Sequence, residues 1–265
     1  MKNIKALPKK YAAGVLYVLF DIDDTITKDG QLLLEAYEAI WAIHNAGLKA
    51  VPVTGRPAGW CDLIARQWPV AGVVGENGAF AFYMKNNKLE RIYHPEAPEP
   101  EATELKLKEL GNSALRAFPG LRIAKDQPYR IFDVALDFAE EEPNLGLDLA
   151  VRVKGFCESR GAVAKVSSIH VNAWFGNYDK LSMAEYFLSE CFAYNSEKDL
   201  EKVLFFGDSP NDEPMFKHFP LSCAVSNIQQ YTEIINYKPQ YVTSSPFGYG
   251  FKEGIEVLLQ LKEKK

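Results

Sequence analysis

The sequence predicts an α/β protein in which a doubly wound, Rossmann-like parallel sheet is interrupted by an inserted α+β domain. Three observations support this fold class. The first 83 residues alternate between strand and helix patterns, the middle third has half-polar strands, and the first pattern returns from residue 180. Strands that alternate with helices are typical of parallel sheets with crossover connections. We therefore expect a core formed by residues 1–83 and 176–265, with residues 84–175 inserted as a cap.

The first core segment contains three predicted strands. Residues 15–20 form a continuous apolar run, which is typical of a strand buried on both faces. Residues 49–53 and 70–74 repeat this pattern. Pro57 is placed to open the helix between them, and Gly47 to end the helix before them. That earlier helix is predicted from apolar residues at helical spacing, namely Leu33, Ala36, Ile40 and Ile43.

The inserted segment contains two strongly alternating strands, at residues 130–138 and 168–175. One face of each is apolar, and helices near 102–118 and 145–160 are available to cover it. The other face is expected to be open, and to overhang the core site or meet solvent. It carries Asp133, Asp137, His170, Asn172 and Trp174.

The last segment returns to the parallel pattern. Leu181, Ala184 and Leu188 line a predicted helix, and strands are predicted at 203–206, 222–225 and 240–243.

Composition narrows the range of partners. The net charge of −5 gives no electrostatic reason to expect nucleic acid or an anionic membrane. The apolar run at 15–20 is too short to span a bilayer, and no signal-peptide pattern precedes it. The four cysteines form no CxxC pair and are typical of free thiols in a reduced compartment. We therefore expect a cytoplasmic protein that binds a small molecule.

Four polar clusters mark a candidate site, because ligands of open α/β sheets bind at the carboxyl ends of the strands. Three clusters directly follow predicted strands, and the fourth is a lysine at the start of the helix that reopens the core. In order they are Asp21-Ile22-Asp23-Asp24-Thr25, Thr54-Gly55-Arg56, Lys180 and Gly207-Asp208-Ser209-Pro210-Asn211-Asp212.

Each residue type suits phosphoryl transfer. Two carboxylates one residue apart can supply a nucleophile and an acid or base. A hydroxyl, backbone amides and a lysine can hold phosphoryl oxygens, and carboxylates at i and i+4 can hold Mg²⁺. Taken singly, each cluster also has a structural interpretation; Ser209 and Pro210, for instance, would simply start a helix. Their joint order favours a phosphoryl-transfer site.

The ordered motifs resemble those of the haloacid dehalogenase-like phosphatases. The matching stretches are VLFDIDDTIT at 18–27, VTGRP at 53–57, Lys180, and VLFFGDSPNDEPMF at 203–216. The insertion resembles the cap of subfamily IIB, which includes sucrose-phosphate, trehalose-phosphate and Cof-type sugar phosphatases. GENGAF at 75–80 resembles the ENG turn of that group.

The resemblance implies a role for each matched residue. Asp21 would be the nucleophile that forms an aspartyl-phosphate, and Asp23 the general acid and base. Thr54, Gly55, Lys180 and Asn211 would hold or support the phosphoryl group. Mg²⁺ would be bound by Asp21, the backbone carbonyl of Asp23 and Asp208, and by Asp212 directly or through water.

The substrate implied is a small phosphorylated metabolite. Asp24 stands where many relatives have Gly, resembles the trehalose- and sucrose-phosphatase branches, and favours a sugar phosphate. In the cap, Asn172, Trp174 and His170 are candidate substrate contacts, with Trp174 able to stack on a sugar ring. Two alternatives stay open: a sugar phosphomutase with the same motifs, or a catalytically silent regulatory protein with this fold.

Overall fold

The computed structural model describes residues 1–167 and 169–263. The predicted fold class is confirmed: a mostly parallel central sheet is flanked by helices, and antiparallel strands are added to it. The strands in chain order are β1 (Lys2–Asn3), β2 (Tyr17–Phe20), β3 (Thr27–Lys28), β4 (Gln31–Leu32), β5 (Lys49–Pro52), β6 (Val73–Gly75), β7 (Phe80–Lys85), β8 (Lys88–Tyr93), β9 (Arg122–Ile123), β10 (Asp133–Asp137), β11 (Val163–Val166), β12 (His170–Trp174), β13 (Val203–Gly207), β14 (Leu221–Ala224) and β15 (Tyr241–Val242). The helices are α1 (Lys9–Gly14), α2 (Leu34–Asn45), α3 (Ala58–Gln67), α4 (Pro100–Ala117), α5 (Leu147–Glu158), α6 (Lys180–Phe192), α7 (Glu213–His218) and α8 (Phe247–Glu263).

The central sheet has the order β1-β15-β14-β13-β2-β5, and all its neighbouring strands are parallel. From β2 the chain builds outward to β5 on one side, and it later returns to β13 on the other. The strand order therefore reverses next to β2, and the loops after β2 and β13 flank a crevice at their carboxyl ends. Crevices of this kind bind ligands in open α/β sheets.

A second set of strands extends this sheet beyond β5. Val53 bridges Val74 in parallel, and β6, β7 and β8 then pair antiparallel. The β7–β8 hairpin runs past residue 83, where the sequence pattern places the start of the cap. The division of the chain into a core and an 84–175 cap stays a prediction.

The central sheet is buried on both faces, as its apolar strands predict. On one face, Phe20 and Phe206 pack with Phe251 of α8 and with apolar residues of α2 and α3. On the other face, Leu19 and Phe205 pack with apolar residues of α6 and α7.

The inserted strands form a separate antiparallel sheet of order β11-β12-β10-β9. Val134 and Val171 face helices α4 and α5 in a separate apolar cluster. Within β10 and β12 the predicted split of apolar and polar residues between the two faces is correct. Phe132, predicted on the apolar face, instead packs with Phe80 of β7 and Tyr93 of β8. Ser168, which the pattern places at the start of the second strand, lies outside the described residues.

The expectation that the polar face is open is wrong. Its residues are at most 4% exposed, because the face lies against the loops of the core: Asp133, Asp137, His170, Asn172 and Trp174. Of the two arrangements that the sequence left open, the sheet adopts the one in which this face overhangs the core.

None of the helices within residues 1–167 and 169–263 combines the length and the apolar composition that crossing a bilayer requires.

Candidate active site

Asp21 is the first residue beyond β2. Its backbone N–H donates to the carbonyl of Phe206 at 3.0 Å, which holds the chain against β13 as it leaves the sheet. Its side chain is buried, and Oδ1 lies 3.0 Å from the Nζ of Lys180. Lys180 also contacts Asp212, with 3.3 Å between Nζ and Oδ1.

The start of α6 brings Lys180 to this position. Asp179 caps the helix by accepting from the N–H of Ser182, and Ser182 accepts from the N–H of Asp179 in return. The ENG turn packs directly against this start. A Cβ on Gly78 would overlap the carbonyl oxygen of Asp179, and Gly78 has φ +107°, so glycine is required there.

Asp21, Asp208 and Asp212 form a buried acidic cluster. Each offers a carboxylate oxygen, and these oxygens all lie within 4.8 Å of one another. Asp212 also accepts from the backbone N–H of Asp208 at 3.0 Å and forms a capping box with Ser209. The helix start proposed for this segment is therefore real, and its capping carboxylate belongs to the cluster.

Burial dominates the electrostatics of the cluster. It raises the pKa of Asp21 to about 7, with Asp212 and Asp23 acting in the same direction and Lys180 opposing them. Burial and the carboxylates of Asp212 and Asp21 also hold the pKa of Asp208 well above its usual range. Burial opposes the charge on Lys180, but Asp21 and Asp212 outweigh it and raise the pKa of the lysine.

This cluster fits a hard divalent cation. The donors are all oxygen atoms, and three carboxylates face a single lysine within contact distance, which leaves an excess of negative charge in a buried place. A divalent cation bound among the three carboxylates would offset this excess of negative charge.

Asp23 is not part of this cluster and pairs with Arg56. The Nε of Arg56 lies 3.1 and 3.0 Å from Oδ1 and Oδ2 of Asp23, and Nη2 lies 2.8 Å from Oδ1. The Asp23 side chain is 25% exposed, so it is the accessible carboxylate of the pair that follows β2.

The loop after β5 is held in a tight turn. The Oγ1 of Thr54 accepts from the N–H of Arg56 at 3.1 Å, which leaves the hydroxyl proton free to be donated elsewhere. A Cβ on Gly55 would lie 3.0 Å from the Oδ1 of Asn77, so glycine lets the ENG turn approach this loop. Gly55 lines the cavity and Thr54 lies behind it.

A buried polar network covers the cavity from the cap side. Arg130 donates to both carboxylate oxygens of Asp133 at 3.0 and 3.1 Å, and to the carbonyl of Gly55 at 2.9 Å. Asp133 also accepts from Asn172 at 2.8 Å and from Asn77 at 3.4 Å. Cap and core are thus joined by hydrogen bonds directly over the site.

The three predicted cap residues have different surroundings. His170 and Asn172 line the cavity, and the Nε2 of His170 lies 2.9 Å from the Oε2 of Glu140. Trp174 is fully buried and stacks on Tyr178, with 5.8 Å between ring centroids. It does not line the cavity of His170 and Asn172, but it lines a smaller one beside it, together with Asn77, Lys180 and Asn211.

A cavity lies between the loops of the core and the polar face of the cap sheet. Its lining contains most of the predicted core residues: Asp21, Asp23, Gly55, Lys180, Asp208 and Asn211. Asp212 lies just behind this wall, fully buried.

Sequence reasoning gave no role to four charged residues at the site: Arg56, Glu76, Arg130 and Glu140. Two lie in stretches that were recognised, since Arg56 ends the TGR triplet and Glu76 begins the ENG turn. The carboxylate of Glu76 accepts from the backbone N–H groups of Ala58, at the start of α3, and Ile131, in the cap. For Arg130 and Glu140, only the charge on a half-polar strand and its following loop was available as a signal.

Comparison with known proteins places the chain in a family. Residues 18–106 and 166–240, together more than half of the chain, match the family model of the haloacid dehalogenase-like hydrolases. A phosphoglycolate phosphatase of Methanobrevibacter smithii is 28% identical over 248 residues, which cover 90% of this chain and 96% of the relative.

Solved structures show the same fold. A crystal structure from Thermoplasma acidophilum superposes with a TM-score of 0.70 at 20% identity, over 93% of this chain and 99% of the other. The sucrose-phosphatase of Synechocystis, solved with sucrose and phosphate, gives 0.61 at 14% identity, over 91% and 97%.

Proposed function

Because the chain belongs to the haloacid dehalogenase-like hydrolases and is a phosphatase, we propose that it is a Mg²⁺-dependent phosphomonoesterase that hydrolyses a small sugar phosphate. The observation that carries the proposal is the contact of Asp21 with Lys180 at 3.0 Å, at the switch point of the sheet and beneath the cap. A carboxylate paired with a buried cation at the edge of a cavity suits a nucleophile that attacks an anionic phosphoryl group.

The reaction would proceed in two displacements. An oxygen of Asp21 attacks phosphorus and the bond to the leaving oxygen breaks, while the Asp23 carboxyl group gives that oxygen its proton. Water then attacks the aspartyl-phosphate, Asp23 takes a proton from the water, and inorganic phosphate leaves with Asp21 regenerated. Lys180 and the loop of Thr54 and Gly55 hold the phosphoryl oxygens throughout.

The cation would be held by Asp21, the backbone carbonyl of Asp23, Asp208 and Asp212. It would neutralise charge on the phosphoryl group. Asn211 supports this side of the cavity by accepting from the hydroxyl of Ser209 at 2.8 Å.

The charges around the cavity favour an uncharged polyol as the leaving group. The two arginines that line the cavity are already paired, Arg56 with Asp23 and Arg130 with Asp133. Asn172 and His170 present hydrogen-bonding atoms suited to hydroxyl groups. The relative from Methanobrevibacter smithii makes 2-phosphoglycolate the second candidate substrate.

A substrate panel tests the proposal. Purified protein is assayed with phosphorylated sugars, polyols, glycerates and 2-phosphoglycolate, in Mg²⁺ and in excess EDTA, with Asp21→Asn as the matched inactive control. We expect Mg²⁺-dependent release of phosphate, fastest with a sugar phosphate. Preference for 2-phosphoglycolate would overturn the substrate class, and absence of release from every substrate would overturn the function.

Hydrolysis and mutase chemistry at this site would give different products. Product analysis separates hydrolysis from mutase chemistry, since a mutase returns an isomeric sugar phosphate and little inorganic phosphate.

We also propose that the protein acts in the cytoplasm, in keeping with its four free cysteines, three of which are buried.

A further inference from the structure

We propose that Arg56 is a positioning residue for Asp23, and that the cap holds Arg56 in place through Glu140 and Asp126. Contact between cap and core would then fix the geometry of the acid–base group. This proposal rests on the role of Asp23 in the proposed function.

The core-facing edge of the guanidinium is committed to Asp23. Nε and Nη2 form a fork against the carboxylate, with contacts of 3.1, 3.0 and 2.8 Å. Fork pairing of this kind fixes the plane of a carboxylate as well as its distance. Arg56 therefore determines where the two oxygens of Asp23 point.

The cap-facing edge is held by two carboxylates of the insertion. Nη1 lies 3.5 Å from the Oε1 of Glu140 and 3.7 Å from the Oδ2 of Asp126. Both partners are themselves fixed, Glu140 by His170 at 2.9 Å and Asp126 by Arg130 at 2.9 and 3.0 Å. The contact with His170, together with the charge of Arg56, lowers the pKa of Glu140 to about 2. Glu140 therefore stays negatively charged near neutral pH.

Arg56 is anchored along its whole length. Its backbone N–H donates to Thr54, its carbonyl accepts from Glu76, and its guanidinium carbon lies 4.4 Å from the ring centroid of Trp60. The side chain is only 7% exposed. A cation restrained in this way has little freedom to serve as a mobile phosphate clamp.

Arg56 and Lys180 contact different groups at the site. Lys180 is the cation in contact with the nucleophile Asp21, whereas every short side-chain contact of Arg56 is with a carboxylate of the acid–base group or of the cap. Removing Arg56 should therefore misplace the proton donor more than it weakens binding of the phosphoryl group.

Kinetics with two leaving groups test the proposal. Arg56→Lys keeps the charge but loses the fork, and we compare it with wild type on an alkyl phosphate and on p-nitrophenyl phosphate. The alkyl leaving group needs the proton of Asp23 in the first displacement, so kcat/KM for the alkyl phosphate should fall by about 10²-fold, the scale of a 1 Å misplacement. The aryl phosphate should lose far less, and KM should change little for either.

A double-mutant cycle makes the test specific. If Arg56 acts through Asp23, adding Arg56→Lys to Asp23→Asn should cost little further activity. Equal losses for the two substrates, or losses that multiply in the double variant, would overturn the proposal. An Asp23→Asn variant with full activity would instead remove the role of Asp23 in the proposed function, and this proposal with it.

The cap side offers a matched pair of variants. Glu140→Ala should reproduce the substrate-selective loss on a smaller scale, because its contact with Nη1 is long. Glu141→Ala, the next residue, removes only an exposed contact with Lys125 and serves as the control. If Arg56→Lys does not fold, Glu140→Ala decides: a selective loss supports the proposal, and kinetics equal to those of Glu141→Ala contradict it.

Discussion

The same cavity is surrounded by the loops at the carboxyl ends of the central strands, here called the core edge, and by the polar face of the cap sheet, here called the cap underside. These two regions are built in different ways. At the core edge, Asp21 and Asp208 directly follow buried strands, and their positions depend on short stretches of sequence. At the cap underside, Asp133 and Asn172 meet because strands β10 and β12 pair in one register across 39 positions of sequence. The positions of the side chains at the core edge therefore depend on neighbouring sequence, and those at the cap underside depend on the pairing of distant strands.

The two regions also differ in how their charge is balanced. The cap carboxylate Asp133 is matched by Arg130 at 3.0 Å. Within the described residues, Lys180 is the one positively charged side chain in contact with the core cluster of Asp21, Asp208 and Asp212. A balanced network stabilises one arrangement of the cap, and an unbalanced one is prepared to receive a cation and a phosphoryl group. Substitutions in the carboxylate cluster of the core should therefore change chemistry, and substitutions in the Asp133 network of the cap should change binding or stability.

The largest effect in this comparison is expected for Asp23→Asn. Loss of the general acid should lower kcat/KM, which reports formation of the aspartyl-phosphate, by roughly 10²–10⁴-fold on an alkyl phosphate, and by less on an aryl phosphate with a good leaving group. Steady-state kinetics on both substrates at saturating Mg²⁺ check this. Equal losses would assign Asp23 a role other than proton transfer.

Asp208→Asn should act on the cation. Removing one carboxylate from the cluster should raise the Mg²⁺ concentration for half-maximal activity by about tenfold or more. An activity titration against Mg²⁺ measures this, with Asp199→Asn as the control, since Asp199 pairs with Lys202 at the surface. Superimposable titrations of Asp208→Asn and wild type would make Asp208 a structural residue.

Asn172→Ala should change binding and not chemistry. It removes a cavity-lining amide, so KM for the physiological substrate should rise by about threefold to tenfold, the worth of one hydrogen bond, while a small aryl phosphate is spared. Trp174→Ala provides the contrast, because that ring is buried. Its loss should lower the free energy of unfolding by about 3–5 kcal/mol.

Denaturant unfolding and substrate kinetics of the two variants separate these outcomes. A raised KM in Trp174→Ala, without loss of stability, would restore the stacking role that the sequence suggested for Trp174. Unchanged kinetics in Asn172→Ala would move specificity to other cap residues.

The carboxylate of Glu76 joins the two regions, and its substitution should change the pH dependence of stability. Burial and the nearby Asp133 raise the pKa of Glu76 to about 8, from a usual value near 4.5. Between these values the folded protein keeps a proton that the unfolded chain loses, so this group lowers stability as pH rises, by at most about 1.4 kcal/mol per pH unit. Glu76→Gln cannot titrate and should lack this slope.

Urea unfolding at pH 5 and pH 8 measures the slope. The stability of Glu76→Gln relative to wild type should improve from pH 5 to pH 8, whereas the exposed Glu141→Gln should show no such trend. Parallel pH profiles of Glu76→Gln and wild type would mean that Glu76 is a carboxylate throughout, held by its backbone donors.

Much of the core could be predicted from sequence because its signals are local. The apolar runs of β2, β5 and β13 identify strands buried on both faces, and the polar residues that follow them must then meet at one edge. The predicted 70–74 strand is shorter, starting at Val73, and the β7–β8 hairpin was not anticipated, although Asn86-Asn87 with positive φ at both residues makes its turn.

The cap could be predicted only in part. Alternation assigned the faces of β10 and β12 correctly, because the period of a strand is two. Burial of the polar face depends on Arg130 and Asn172 meeting Asp133, and on Glu76 reaching from the core, which no local pattern contains. Arg56 was visible in its motif, but its role depends on Glu140, 84 residues away.

The central claim is that Asp21 carries the phosphoryl group, and trapping tests it most directly. Asp23→Asn should slow the attack of water on the intermediate, so this variant is mixed with a ³²P-labelled aryl phosphate and Mg²⁺, quenched in acid and digested. We predict a hydroxylamine-labile label on the peptide that contains Asp21, and no label in Asp21→Asn. Label on another residue, or turnover of the substrate with no protein-bound label at any time after mixing, would contradict the account.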